Sequence, residues 1–108
     1  MEGNLDKLKK KFDEVCEAWD GEIDISLGKR YCLIPIEKLN PILLALDTTS
    51  PSIDVSAGMS HVEMFGIENI EKINQGFRLI GKNSGINIHP DKGKITFIGD
   101  VKGSIHCD

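Results

Sequence analysis

The chain lacks most of the features that would assign it a chemistry. Its cysteines, Cys16, Cys32 and Cys107, form an odd set without a C-x-x-C pair, which predicts reduced thiols rather than a disulfide framework and a cytoplasmic location. The longest apolar stretch, Pro41 to Leu46, is far too short to cross a bilayer, and Met1 to Asp6 supply no basic segment leading into an apolar one. Secretion and membrane insertion are therefore not expected. Aromatic residues make up only 6% of the chain, without the basic interleaving of a single-strand binder. Glycine-rich phosphate loops, a G-x-S-x-G elbow and H-E-x-x-H are absent. No cofactor is implied.

What is present suits a domain that folds alone. The 108 residues are 40% hydrophobic and 28% charged, so one core is expected, within a single domain over 1–108. The net charge of −4 argues against general affinity for nucleic acid, which depends on Lys and Arg displacing counterions. That charge is unevenly spread. Residues 13–71 hold twelve carboxylates against Lys29, Arg30 and Lys38, whereas the bases prevail from Lys72 onward.

Leu5, Leu8, Phe12, Val15, Cys16 and Trp19 recur at steps of three and four, the signature of an amphipathic helix closed by Gly21. Period-two alternation from Glu22 to Leu27, a turn at Gly28-Lys29 and strand formers from Arg30 to Ile36 predict a hairpin. Asn40-Pro41 reads as the start of a short apolar helix through Leu46. Ile53–Ala57 and His61–Phe65 flank Gly58 as a second hairpin, and Glu68 to Asn74 reads as a two-turn helix or a loop. From Phe77 onward, short strands cut by turn residues predict an antiparallel meander reaching Cys107. The fold class is α+β: an antiparallel sheet of five to seven short strands, with the N-terminal helix and one or two short helices packed on one face.

Two groups of residues are candidates for function. Asp13, Glu14, Glu17, Asp20, Glu22 and Asp24 form an acidic run without an intervening base. Acids toward the C-terminal end of a helix oppose its dipole, so the run reads either as a surface for a cationic protein or as a solvated face with pairs Lys9–Asp13 and Lys10–Glu14. The second group is Arg78, His89, Lys94 and His106, a basic face that could combine acid–base and phosphate-binding groups if the strands bring it together. A metal site from Cys32, His61, His89, His106 and Cys107 has no supporting spacing, and neighbouring strand residues such as His106 and Cys107 point to opposite faces. No metal is expected.

The reading that follows is a small acidic protein-binding module, of the kind that acts as an inhibitor or immunity-type protein neutralising a basic toxin or nuclease. A small enzyme or nucleotide binder using the basic face is the rival. A structural subunit that associates through an open sheet edge, as a homo-oligomer or within a larger complex, is the third.

Overall fold

The computed structural model describes residues 4–99 and 101–105. Its one α-helix, α1 (Asn4–Ala18), buries Leu8, Phe12, Val15 and Cys16, with Leu5 and Trp19 packed at the margin. Each large apolar side chain removed from water contributes about 1.5–3 kcal/mol, so this stripe holds the helix in place. The helix ends in a Schellman arrangement: Gly21 N–H donates to the Cys16 carbonyl at 2.8 Å and Asp20 N–H to the Glu17 carbonyl at 3.1 Å. Asp20, at φ 59°, takes the left-handed position expected of Gly21. The glycine answers a different need, because a Cβ there would lie 2.5 Å from the Cys16 sulfur and 2.9 Å from that of Cys32.

Those two sulfurs are bonded to one another. The expectation of free thiols is thus corrected for Cys16 and Cys32, and with it goes the ground for a reducing compartment; Cys107 lies outside the described residues. An odd count and a spacing of 16 residues gave no hint of the pair. They meet because the helix and the following hairpin fold onto the same core.

After the helix the described residues form ten antiparallel strands in two sheets. β1 (Glu22–Ser26), β2 (Lys29–Ile34), β3 (Ile42–Asp47), β4 (Ser52–Ala57) and β5 (Ser60–Phe65) pair in sequence, and β10 (Lys102–Ile105) closes on β5 to complete a six-stranded sheet. β6 (Ile67–Ile73), β7 (Gly76–Gly81), β8 (Ser84–His89) and β9 (Lys94–Gly99) form a second sheet, with a 3-10 turn at Pro90–Lys92 before β9. Gly66 alone links the sheets between β5 and β6, its N–H held by the Pro51 carbonyl at 2.7 Å. Inner residues of both sheets and of α1 share one buried cluster. The helix packs chiefly on β6 and also touches β1 and β2.

The expected single sheet of five to seven strands is therefore two sheets, and both expected short helices are strands. Pro41–Leu46 was an apolar run whose periodicity could not separate helix from strand. Paired on both sides as β3, it alternates, with Ile42, Leu44 and Leu46 buried and Leu43 exposed. In Glu68–Asn74 the misleading signal was the three-residue step between Ile67 and Ile70. A β-bulge between Ile67 and Asn69 shifts the register, so two residues an odd step apart both face the core.

Candidate protein-docking surface

The outer face of the six-stranded sheet carries the molecule's most distinctive chemistry. Since α1 and the second sheet share the core on the other side, nothing among the described residues covers it. Strand register orders it in rows: Glu22, Leu33, Leu43, Ser56 and His61 in one, Asp24, Tyr31, Ala45, Asp54 and Glu63 in the next, then Ser26, Lys29, Asp47, Ser52 and Phe65. Five carboxylates therefore share a face with exposed Leu33, Leu43 and Phe65. Lys102 stands opposite Glu63 in the register.

Asp54 and Glu63 face each other directly. The two-residue Gly58-Met59 loop makes Ala57–Ser60 a hydrogen-bonded pair, so Asp54–Glu63, three steps away, is a non-hydrogen-bonded one, where side chains stand closest. Like charges so placed are destabilising. His61 Nε2 lies 3.9 Å from Asp54 Oδ1, and Lys29 lines the same part of the face as Asp54 and Glu63.

At the edge of this face lies a cleft of about 340 Å³, lined by Leu33, Pro35, Ile36, Leu39 and Pro41 and rimmed by Asp20 and Glu22. Leu39 is 56% exposed. The acidic run predicted from sequence is split by this geometry. Asp20, Glu22 and Asp24 belong to the cleft rim and the sheet face, while Glu14 and Glu17 are exposed on the helix layer across the sheet. Asp13 is engaged elsewhere: its carboxylate accepts two bonds from the Arg30 guanidinium, at 3.2 and 2.8 Å, tying α1 to β2. The sequence reading missed Asp47, Asp54 and Glu63. Alternation within 52–57 and 60–65 carried the signal, but only the sheet order joins it to Asp24.

Asp47 organises one corner. Its Oδ1 accepts from the Thr49 hydroxyl at 2.7 Å and the Thr49 N–H at 2.9 Å, which holds its carboxyl below the usual carboxylate value. The same loop grips the β1–β2 turn, with Thr48 donating to the Gly28 carbonyl through both its N–H, at 2.9 Å, and its hydroxyl.

Of the basic group, Arg78, His89 and Lys94 share the outer face of the second sheet, where His89 and Lys94 are register partners. Arg78 Nε donates to Asn87 Oδ1 at 2.6 Å. His106 lies outside the described residues. No polar or charged side chain is buried among the described residues, and no three or more His, Cys, Asp or Glu there are grouped to hold a metal. A groove of about 630 Å³ beside the start of α1, lined by Leu5, Leu8, Pro51, Ile67, Glu68 and Asn69, offers one carboxylate and no nucleophile. No described helix is long and apolar enough to cross a membrane.

No family model, curated protein or solved structure matches the chain.

Proposed function

We propose that the protein is a non-enzymatic binding module whose partner is a cationic protein, and that it works as an inhibitor or immunity-type protein against a basic toxin or nuclease. The observation that carries the reading is the coincidence, on one uncovered sheet face, of Glu22, Asp24, Asp47, Asp54 and Glu63 with exposed Leu33, Leu43 and Phe65. Apolar anchors supply affinity where they are desolvated, and surrounding charge steers encounter and rejects wrong partners. The opposed Asp54 and Glu63 support it further, because like charges across a strand pair are destabilising and a partner's cation seated between them relieves the repulsion.

The test is capture from the source organism at low and moderate salt, followed by association kinetics of the captured protein. Charge reversal by Glu22→Lys/Asp54→Lys slows association about tenfold or more and flattens its salt dependence, while folding stability stays within about 0.5 kcal/mol of the parent or rises. Glu14→Lys/Glu17→Lys, on the opposite layer, measures the helix contribution separately. Retention of nucleic acid or small ligands alone, or an unchanged rate and salt slope in Glu22→Lys/Asp54→Lys, refutes the reading. The rival phosphate-binding reading, favoured by Arg78, His89 and Lys94 on one face, would then be tested by substitutions there.

A further inference from the structure

We infer that the partner is engaged at the free edge of β1, as an added strand in which basic and apolar residues alternate. This rests on the cationic-partner reading and specifies how the partner is held. Among the described residues β1 pairs only with β2, and four of its five residues are exposed. Its main chain has a definite polarity. The Leu27-Gly28 turn makes Ser26–Lys29 a hydrogen-bonded pair, so Asp24–Tyr31 and Glu22–Leu33 are too, and the N–H and C=O groups of Ile23 and Ile25 point away from β2 toward the open edge. β1 contains no lysine, proline or bulge to blunt that edge, and its charges are the carboxylates Glu22 and Asp24.

Its side chains specify the occupant. Glu22 and Asp24 lie on the outer face, and Ile23 and Ile25 on the inner, with Ile25 59% exposed. An added strand places its own alternate residues beside these, so bases beside the acids and apolar residues beside the isoleucines complete both faces. A second copy of β1 brings no base to those acids.

The turn adds an independent sign. Leu27 sits at φ 49°, a conformation that costs a branched side chain energy, and is 99% exposed, so no packing within the chain offsets the cost. Thr48 nevertheless ties the turn to the β3–β4 loop through the Gly28 carbonyl. Leu27 thus presents an exposed apolar side chain at the end of the edge.

The probe is a capped octapeptide alternating Lys with Thr and Val, titrated into the intact protein by NMR with amide exchange followed. Binding is expected to slow exchange at Ile23 and Ile25, whose amides face the edge, and to leave Asp24, already bonded to Tyr31, unchanged. Ile25→Pro removes one outward donor and weakens binding about tenfold, equivalent to about 1.4 kcal/mol. N-methylation of the peptide's pairing amides does the same without altering the protein, which keeps the test valid if the proline variant misfolds. Glu22→Lys/Asp24→Lys weakens binding about tenfold or more, and a Glu-for-Lys peptide fails to bind. Three results overturn the inference: no peptide binding, binding indifferent to Ile25→Pro and to N-methylation, or a concentration-dependent dimer that Ile25→Pro abolishes. If Asp54→Lys/Glu63→Lys instead eliminates binding of the captured partner while the edge variants do not, the partner lies on the sheet face and the cationic-partner reading stands without the edge. If no cationic partner binds, both fail.

Discussion

Reducing the Cys16–Cys32 bond should cost the fold much of its stability, and the amount follows from the loop it closes. The bond spans 16 residues, and restricting an unfolded loop of that size is worth roughly 3 kcal/mol at 25 °C in the chain-entropy account. Domains of this length are stable by about 5–15 kcal/mol, so this single bond is a large share. The thermal midpoint should fall by roughly 10–20 °C. Both cysteines are fully buried between α1 and β2, so a thiol reductant reaches them only when the helix lifts away, and reduction should be slow in buffer and fast in moderate urea. The assay is urea unfolding of oxidised protein, of protein reduced in denaturant and refolded under dithiothreitol, and of Cys16→Ala/Cys32→Ala. Both uncrosslinked forms should unfold earlier and with a steeper dependence on urea, because their unfolded chains expose more surface. Coincident midpoints for oxidised and reduced protein, or immediate alkylation of Cys16 in native protein, would refute the reasoning.

Phe12→Ala empties a fully buried site between α1 and the sheets and should cost about 3–5 kcal/mol in urea unfolding. A midpoint equal to the parent's would make the helix peripheral. Asp47 titrates below its ordinary value in the folded state because Thr49 donates to its carboxylate; it therefore stabilises the fold above the unfolded value of about 3.8, and that contribution disappears as pH falls through the lower, folded value. Asp47→Asn should flatten this acid limb of the stability curve, measured by unfolding between about pH 2 and pH 5.

The α1 stripe and the strands with clean alternation were legible in the sequence because their signals are local. Leu8, Phe12, Val15 and Cys16 occupy one face of any helix that forms there, and the Gly58 hairpin places Ile53, Val55, Val62 and Met64 inward whatever lies beyond it. The acidic excess over 13–71 was equally plain. Tertiary structure decided everything that depends on pairing at a distance. Pro41–Leu46 has apolar side chains on both faces, and only its position between β2 and β4 makes it a strand. The Ile67–Ile70 step looks helical until the register against β7 exposes a bulge. Asp13 left the acidic surface because Arg30, 17 residues away, folds beneath the helix. Asp54 and Glu63 joined that surface because the sheet order sets β4 beside β3 and β5 beside β4, and Cys16 met Cys32 because the helix and the following hairpin fold onto the same core. Local periodicity determines which side of an element is apolar; which elements become neighbours is set by how those apolar sides close over a common core.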